Sequence, residues 1–236
     1  MDKFKTITPE NQRDCKAIKI VSENTSFYVH PDEFAEKMGV RYLSGLEIAR
    51  TLPNKFAHIL EKYLKRDEGL FQFNKINLNL TRLYGRLVRD GYTNTGLYIK
   101  RINLIKGYGV YADKSISRAE MIGEYTGVLK VDFIRNKQFA LDYVVEGFVI
   151  DPKGAGNITR YVNHDFTPNV RKEFVFIDGM WHVIFVAKSD IESGEQLFHD
   201  YGKDYWFEHE HKPLNLRKLV KAELQKTIAY HPFRGV

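Results

Sequence analysis

Four clusters in this chain carry residue types that could do chemistry. Gly107-Tyr108-Gly109-Val110-Tyr111-Ala112 matches the GxGxxA spacing of a dinucleotide-binding turn. That use needs the glycines to open an apolar-periodic helix whose N-terminus faces a pyrophosphate. Here Asp113, Lys114, Ser115, Ser117 and Arg118 follow and read as a turn, so the dinucleotide site is rejected. What survives is a backbone lying close to a ligand or to another strand. Arg160-Tyr161-Val162-Asn163-His164-Asp165-Phe166-Thr167-Pro168-Asn169 is the densest polar stretch. Alone it reads as a polar turn, because Asn and Asp bond their own backbone. Glu195-Gln196-Leu197-Phe198-His199-Asp200-Tyr201-Gly202 ends a strand with a tyrosine, which alone is ordinary packing. Gly123-Glu124-Tyr125-Thr126-Gly127 is the fourth. His209 and His211 flank Glu210, but their i, i+2 spacing on an exposed stretch reads as solvated surface, and no metal site is expected.

These residues need elements to position them. From Gly96 onward the chain is a series of short β-branched and aromatic runs, at residues 97–102, 110–112, 121–125, 148–150 and 182–187, bounded by Gly, Asp, Asn or Pro. Many short strands without long helices between them predict a curled mixed or antiparallel β domain rather than a doubly wound sheet. Residues 1–95 read mainly as helix. Phe56, Ile59, Leu60, Tyr63 and Leu64 share one helical face between Pro53 and Gly69. Leu80, Leu83, Tyr84, Leu87 and Val88 repeat the spacing and Gly91 closes it. A weaker helix covers Phe34, Ala35, Lys37 and Met38, and a terminal one carries Leu216, Leu219, Val220, Leu224 and Ile228. The stripes of residues 1–95 read as core.

Taken together and in order, the motifs of residues 96–206 resemble the SET domain of protein-lysine methyltransferases. The resemblance runs through Lys106-Gly107-Tyr108-Gly109, Gly123-Glu124-Tyr125-Thr126-Gly127, Ile150-Asp151, Gly156-Asn157, Arg160-Tyr161-Val162-Asn163-His164, Pro168-Asn169, Gly194-Glu195 and Asp200-Tyr201-Gly202. It says nothing about residues 1–95. It implies a SET β-clip fold of short curled sheets over 96–206. Joined to the helical stripes read above, the chain is expected to be α+β in three parts: a mainly helical region over 1–95, this fold over 96–206, and a helical segment over 207–236 that closes the site. The resemblance further implies a knot-like crossing in which the chain near Tyr201 passes beneath the Asn163-His164 loop.

The cofactor so implied is S-adenosyl-L-methionine, held by Gly107, Tyr108, Gly109, Arg160, Asn163, His164, Tyr201 and Trp206. Glycines at 107 and 109 would let the backbone approach the methionine part, and the Asn163 amide can both donate and accept. His164 is read as a binding residue using its backbone, not as a base. The implied reaction is methyl transfer to a lysine ε-amine, which needs attacker, methyl and sulfur in line. Tyr125 and Tyr201 would be the catalytic channel tyrosines. Tyr143 is either a channel residue or sheet packing, and Trp206 either stacks on adenine or packs in the core. His199 stands where many relatives carry Phe or Tyr, a position that bears on how many methyl groups are added. A cysteine-rich zinc segment often follows such domains, but the single cysteine, Cys15, rules one out here.

Composition frames the partners. The 236 residues are 43% hydrophobic and 28% charged, ordinary for a globular protein, with a formal charge of +6. Residues 96–206 hold 14 Lys and Arg against 15 Asp and Glu, whereas residues 1–95 hold 16 against 12. Basic residues are scattered among acids, so direct nucleic-acid binding is not expected. A slightly acidic middle, with Glu124, Asp132, Asp142, Glu146 and Asp165, suits a basic tail such as that of a histone or histone-like protein. No apolar run approaches the ~18 residues that cross a bilayer, and no secretory signal is visible. The expected setting is cytoplasmic or chromatin-associated, or a host cell reached by a dedicated secretion apparatus. No oligomeric state is implied. The competing function is a non-catalytic adaptor that binds a protein tail.

Overall fold

The structure, a computed structural model, describes residues 17–22, 25–50, 57–58, 61–62, 75–103, 107–132 and 139–202. In chain order the elements are β1 (Ile18–Ser22), β2 (Thr25–Val29), α1 (Phe34–Met38), β3 (Arg41–Tyr42), β4 (Glu47–Ile48), α2 (Lys75–Arg89), β5 (Leu97–Asn103), β6 (Gly107–Ala112), β7 (Met121–Glu124) and β8 (Val128–Val131). They continue with β9 (Leu141–Asp142), β10 (Phe148–Asp151), β11 (Ala155–Gly156), β12 (Asn163–His164), β13 (Val170–Ile177), β14 (Met180–Ala187) and β15 (Phe198–His199).

Short strands make short sheets. One has the order β2-β1-β5-β6, another β4-β8-β10-β9 and a third β13-β14-β7, with the two-stranded pairs β3-β11 and β12-β15 between them. The β13–β14 hairpin turns at Asp178-Gly179, both at positive φ (52° and 77°). That is the two-residue turn whose twist matches the strands it joins. The inner faces meet in one core that includes Ile20, Ile99, Val110, Ile122, Leu129, Ile150, Phe185 and Leu197, each at most 2% exposed. Burying each contributes roughly 1.5–3 kcal/mol. The expected curled β domain is what these elements form.

Residues 1–95, read as mainly helical, also hold strands among the described residues. β1 and β2 pair antiparallel, because Ile18 and Ile20 alternate toward the core with period two and Val29 joins them. β1 then pairs in parallel with β5 through Ile20 and Ile99, so one sheet crosses the boundary placed at residue 95. The weaker helix is present as α1, closed by Gly39 at φ 68°.

The Leu80–Val88 stripe is present in α2, but its buried face is rotated from the expected one. Tyr84 and Val88 pack on Val175, Ile177, Ile184 and Val186, while Leu83 is 67% exposed. Thr81 and Gly85 turn that face toward β13. The Thr81 hydroxyl accepts the Phe176 N–H at 3.1 Å, and a Cβ at Gly85 would lie 3.6 Å from Ile177. The 56–64 stripe (Phe56, Ile59, Leu60, Tyr63, Leu64), Lys106, Trp206 and the 207–236 segment lie outside the described residues. Among the described residues no helix is long and apolar enough to cross a membrane.

Candidate functional site

β12 and β15 pair in parallel, Asn163 with Phe198 and His164 with His199. This joins the two polar clusters that are more than thirty residues apart in sequence. Local chemistry sets the first strand in place. Asn157 caps the 3-10 turn Ile158–Tyr161, its Oδ1 accepting the Thr159 N–H at 3.0 Å. The Asn157 amide and the Thr159 hydroxyl both donate to the Glu124 carbonyl, at 3.0 and 3.1 Å, tying the turn to β7. On the far side, Asn169 clamps β15. Its amide donates to the Gln196 carbonyl at 2.9 Å and its Oδ1 accepts the Phe198 N–H at 2.8 Å.

Two bonds then locate Tyr201. Its main-chain N–H donates to His164 Nδ1 at 3.1 Å, and its hydroxyl donates to the Val162 carbonyl at 3.2 Å. The His199 ring tilts against both Tyr201 and Phe185, with centroids 4.7 Å apart in each case. Tyr125, Phe139, Leu141, Arg160, Val162, His199 and Tyr201 line one pocket of about 30 Å³, together with Ala140. The Tyr125 hydroxyl donates to the Phe139 carbonyl, and the Arg160 guanidinium stacks 4.4 Å over the Phe139 ring.

Charge in the pocket is sparse. Burial pushes His199 down to about 3, with Lys172 adding to the effect. Its Nδ1–H donates to the Asp200 carbonyl at 3.1 Å, leaving Nε2 as the lone-pair nitrogen. Burial likewise lowers His164, whose Nδ1 accepts from Tyr201, so its proton sits on Nε2. Both rings are neutral at pH 7.

The glycine motif forms the start of strand β6, tied to β12 by Asn163. The Asn163 amide donates to the Tyr108 carbonyl at 3.0 Å, and the Tyr108 ring packs edge-on against Tyr161. Gly107 sits at φ 67°, which favours glycine whatever surrounds it. Gly109 is crowded by side-chain ends instead: a Cβ there would meet Gln196 Nε2 at 2.5 Å, Ile102 Cδ1 at 3.0 Å and Asn163 Nδ2 at 3.2 Å.

Of the expected site residues, Tyr125, His199 and Tyr201 share the pocket, while Gly107, Tyr108, Gly109, Asn163 and His164 adjoin it. Arg160, expected on the cofactor side, lines the pocket itself. Tyr143 does not join them. It is 5% exposed, and its hydroxyl donates to the Trp181 carbonyl at 3.0 Å and accepts the Trp181 N–H at 3.1 Å. Two acids expected to face a basic tail are also turned inward. Glu124 is buried against His182 Nδ1 at 2.7 Å, and Asp165 closes a turn onto Thr167. Sequence reasoning did not single out Phe139, Ala140, Leu141 and Val162 of the pocket lining. Phe139 and Leu141 stand beside no motif, and only an apolar run ahead of Tyr143 could have pointed to them.

Comparison with known proteins adds to this geometry. Residues 107–202 match the SET domain family. A putative histone-lysine N-methyltransferase ASHH4 of Arabidopsis thaliana is 34% identical over 119 residues, which cover 44% of this chain and 34% of that protein. Histone-lysine N-methyltransferase trr of Drosophila melanogaster is 36% identical over 121 residues, 46% of this chain and 5% of that one. Histone-lysine N-methyltransferase EZH2 of Chaetomium thermophilum is 29% identical over 135 residues, 50% and 8% respectively. The chain thus spans between 5% and 34% of the length of these relatives. A crystal structure of ATXR5 in complex with histone H3.1 has a TM-score of 0.51 at 21% identity, covering 72% of this chain and 84% of that one, which is a likeness of fold.

Proposed function

With a SET domain over residues 107–202 as the premise, we propose that this chain is a protein-lysine N-methyltransferase that uses S-adenosyl-L-methionine and acts on a basic protein such as a histone. The observation that carries the reading is the meeting of Tyr125, His199 and Tyr201 in one narrow pocket next to Asn163 and the 107–109 backbone. Similarity to histone-lysine N-methyltransferases supports the substrate class and, with it, a place at chromatin.

The residues present fit the cofactor. Gly107 and Gly109 keep side chains off the backbone face beside Asn163, and the Asn163 carboxamide offers both a donor and an acceptor to an amino-acid moiety. When bound, this cofactor supplies an electrophilic methyl group on a sulfonium sulfur. Trp206 and the 207–236 segment enter the proposal as the cover of the adenine side. The parallel pairing of β12 with β15 supports a knot-like passage of the chain near Tyr201 beneath the Asn163-His164 loop.

The pocket residues then have separable tasks. Tyr201, held by His164 and Val162, aims its hydroxyl at the incoming amine and keeps it in line. Tyr125 and Phe139 wall the channel and exclude water. Taking the proton from a lysine at pH 7 costs roughly 4–5 kcal/mol. None of the eight lining residues is a carboxylate, His199 is neutral and Arg160 is cationic, so the pocket favours the uncharged amine. Asp142, next to Leu141 of the pocket wall, and Glu146 are exposed, and the basic residues of a tail would meet them.

Incubation with methyl-labelled S-adenosylmethionine and a panel of basic and acidic proteins tests the proposal. Label is expected on lysines of the basic members, histones among them. Label on none of the panel would overturn it.

A further inference from the structure

Among the described residues, the Gln196 side-chain amide nitrogen is buried with no hydrogen-bond partner. The other end of the same carboxamide is satisfied: the Tyr111 hydroxyl donates to Gln196 Oε1 at 3.0 Å. Burial pushes Tyr111 up to about 12, so its hydroxyl keeps its proton and holds the amide in one orientation. Gln196 is 8% exposed, so its amide is fixed by packing as well. A buried donor without an acceptor is destabilising unless something fills the role. The nitrogen lies directly over Gly109, on the face where a Cβ would stand 2.5 Å from it and 3.2 Å from Asn163 Nδ2.

We infer that Gln196 is a cofactor-binding residue whose amide N–H groups donate to the methionyl carboxylate of S-adenosylmethionine at the Gly109–Asn163 surface. This rests on the methyltransferase reading above. The chemistry selects the carboxylate. An amide nitrogen only donates, a carboxylate only accepts, and an ammonium could not take this place. Asn163 spends one donor on the Tyr108 carbonyl, so Gln196 supplies what Asn163 has committed elsewhere. Tyr111 acts through Gln196 and is a positioning residue.

Titration calorimetry with two probes tests the assignment. S-adenosylhomocysteine carries the amino-acid moiety and methylthioadenosine lacks it. Two variants are compared with the unaltered chain. Gln196→Leu removes the donor, and Gln196→Glu keeps the acceptor for Tyr111 while replacing the donor by a negative oxygen. Both variants are expected to bind S-adenosylhomocysteine roughly tenfold more weakly or worse, with methylthioadenosine affinity unchanged within about twofold. The Glu variant covers the case in which Leu disturbs folding, since it retains the Tyr111 bond. Unchanged binding of S-adenosylhomocysteine overturns the inference, and so does an equal loss of both probes, which would mean a structural role or a ribose contact. Failure of the unaltered chain to bind either probe would instead remove the methyltransferase reading itself.

Discussion

The main-chain N–H of Tyr201 donates to Nδ1 of His164 at 3.1 Å, across 37 residues of sequence. A protonated imidazole has no acceptor, so the bond exists only while His164 is neutral. The ring lies 5.3 Å from that of Tyr201, and the cross-strand partner of His164, His199, packs on the same tyrosine ring at 4.7 Å. The tyrosine that would orient the amine is therefore seated on two neutral histidines.

Acid should unseat it. In the unfolded chain both histidines take up protons near their ordinary value of about 6.5. In the fold both take them up only at lower pH, His199 at about 3. Their contribution to stability is complete above about pH 6.5 and falls as pH drops toward 3, by up to about 1.4 kcal/mol per pH unit for His199. Urea unfolding between pH 7.5 and 4.5 should show this slope, and His199→Phe should flatten it. A pH-independent midpoint in the unaltered chain would contradict the buried, neutral assignment.

Tyr143 makes a separate prediction because its hydroxyl is spent on both polar groups of the Trp181 backbone. Tyr143→Phe should lower stability by about 1–3 kcal/mol. Methyl transfer per folded molecule should stay unchanged. A drop in transfer at unchanged stability would return Tyr143 to the channel.

Gly127 is crowded where Gly154 is not. A Cβ at Gly127 would stand 2.8 Å from Ile150 Cγ2 and 2.9 Å from backbone atoms of Asp151 and Pro152, whereas nothing lies within 4 Å at Gly154. Gly127→Ala should cost about 1–3 kcal/mol. Gly154→Ala should be neutral or slightly stabilising. Denaturant midpoints of the two variants decide the matter, and equal values would contradict the packing described at Gly127.

The parts of the site that were legible in the sequence are those fixed by backbone chemistry. Gly107 and Gly109 answer to a positive φ and a close contact, and Asn163-His164 and Tyr201 belong to motifs whose order is informative. Less legible were placements set by the partner across the core. Arg160 lies in a 3-10 turn that places its guanidinium over Phe139, which residue type alone does not disclose. Glu124 and Asp165 looked like surface acids because charge is visible in sequence and burial is not. The β1–β2 pair was hidden for another reason. Each strand is only five residues long, β1 alone buries alternate residues, and three of the five in β2 are exposed, so the stronger helical stripes downstream dominated the reading.

The central claim is that the Tyr201 hydroxyl orients a lysine amine for methyl transfer, and mass spectrometry of histones incubated with S-adenosylmethionine and either the unaltered chain or Tyr201→Phe tests it most directly. The account predicts methyl-lysine with the unaltered chain and a rate roughly 100-fold lower or worse with the variant. S-adenosylhomocysteine affinity should change by no more than about threefold, since only one hydroxyl is lost. Equal rates for the two proteins would contradict the role of Tyr201. Cofactor binding without methyl-lysine on any histone would leave the adaptor as the better account.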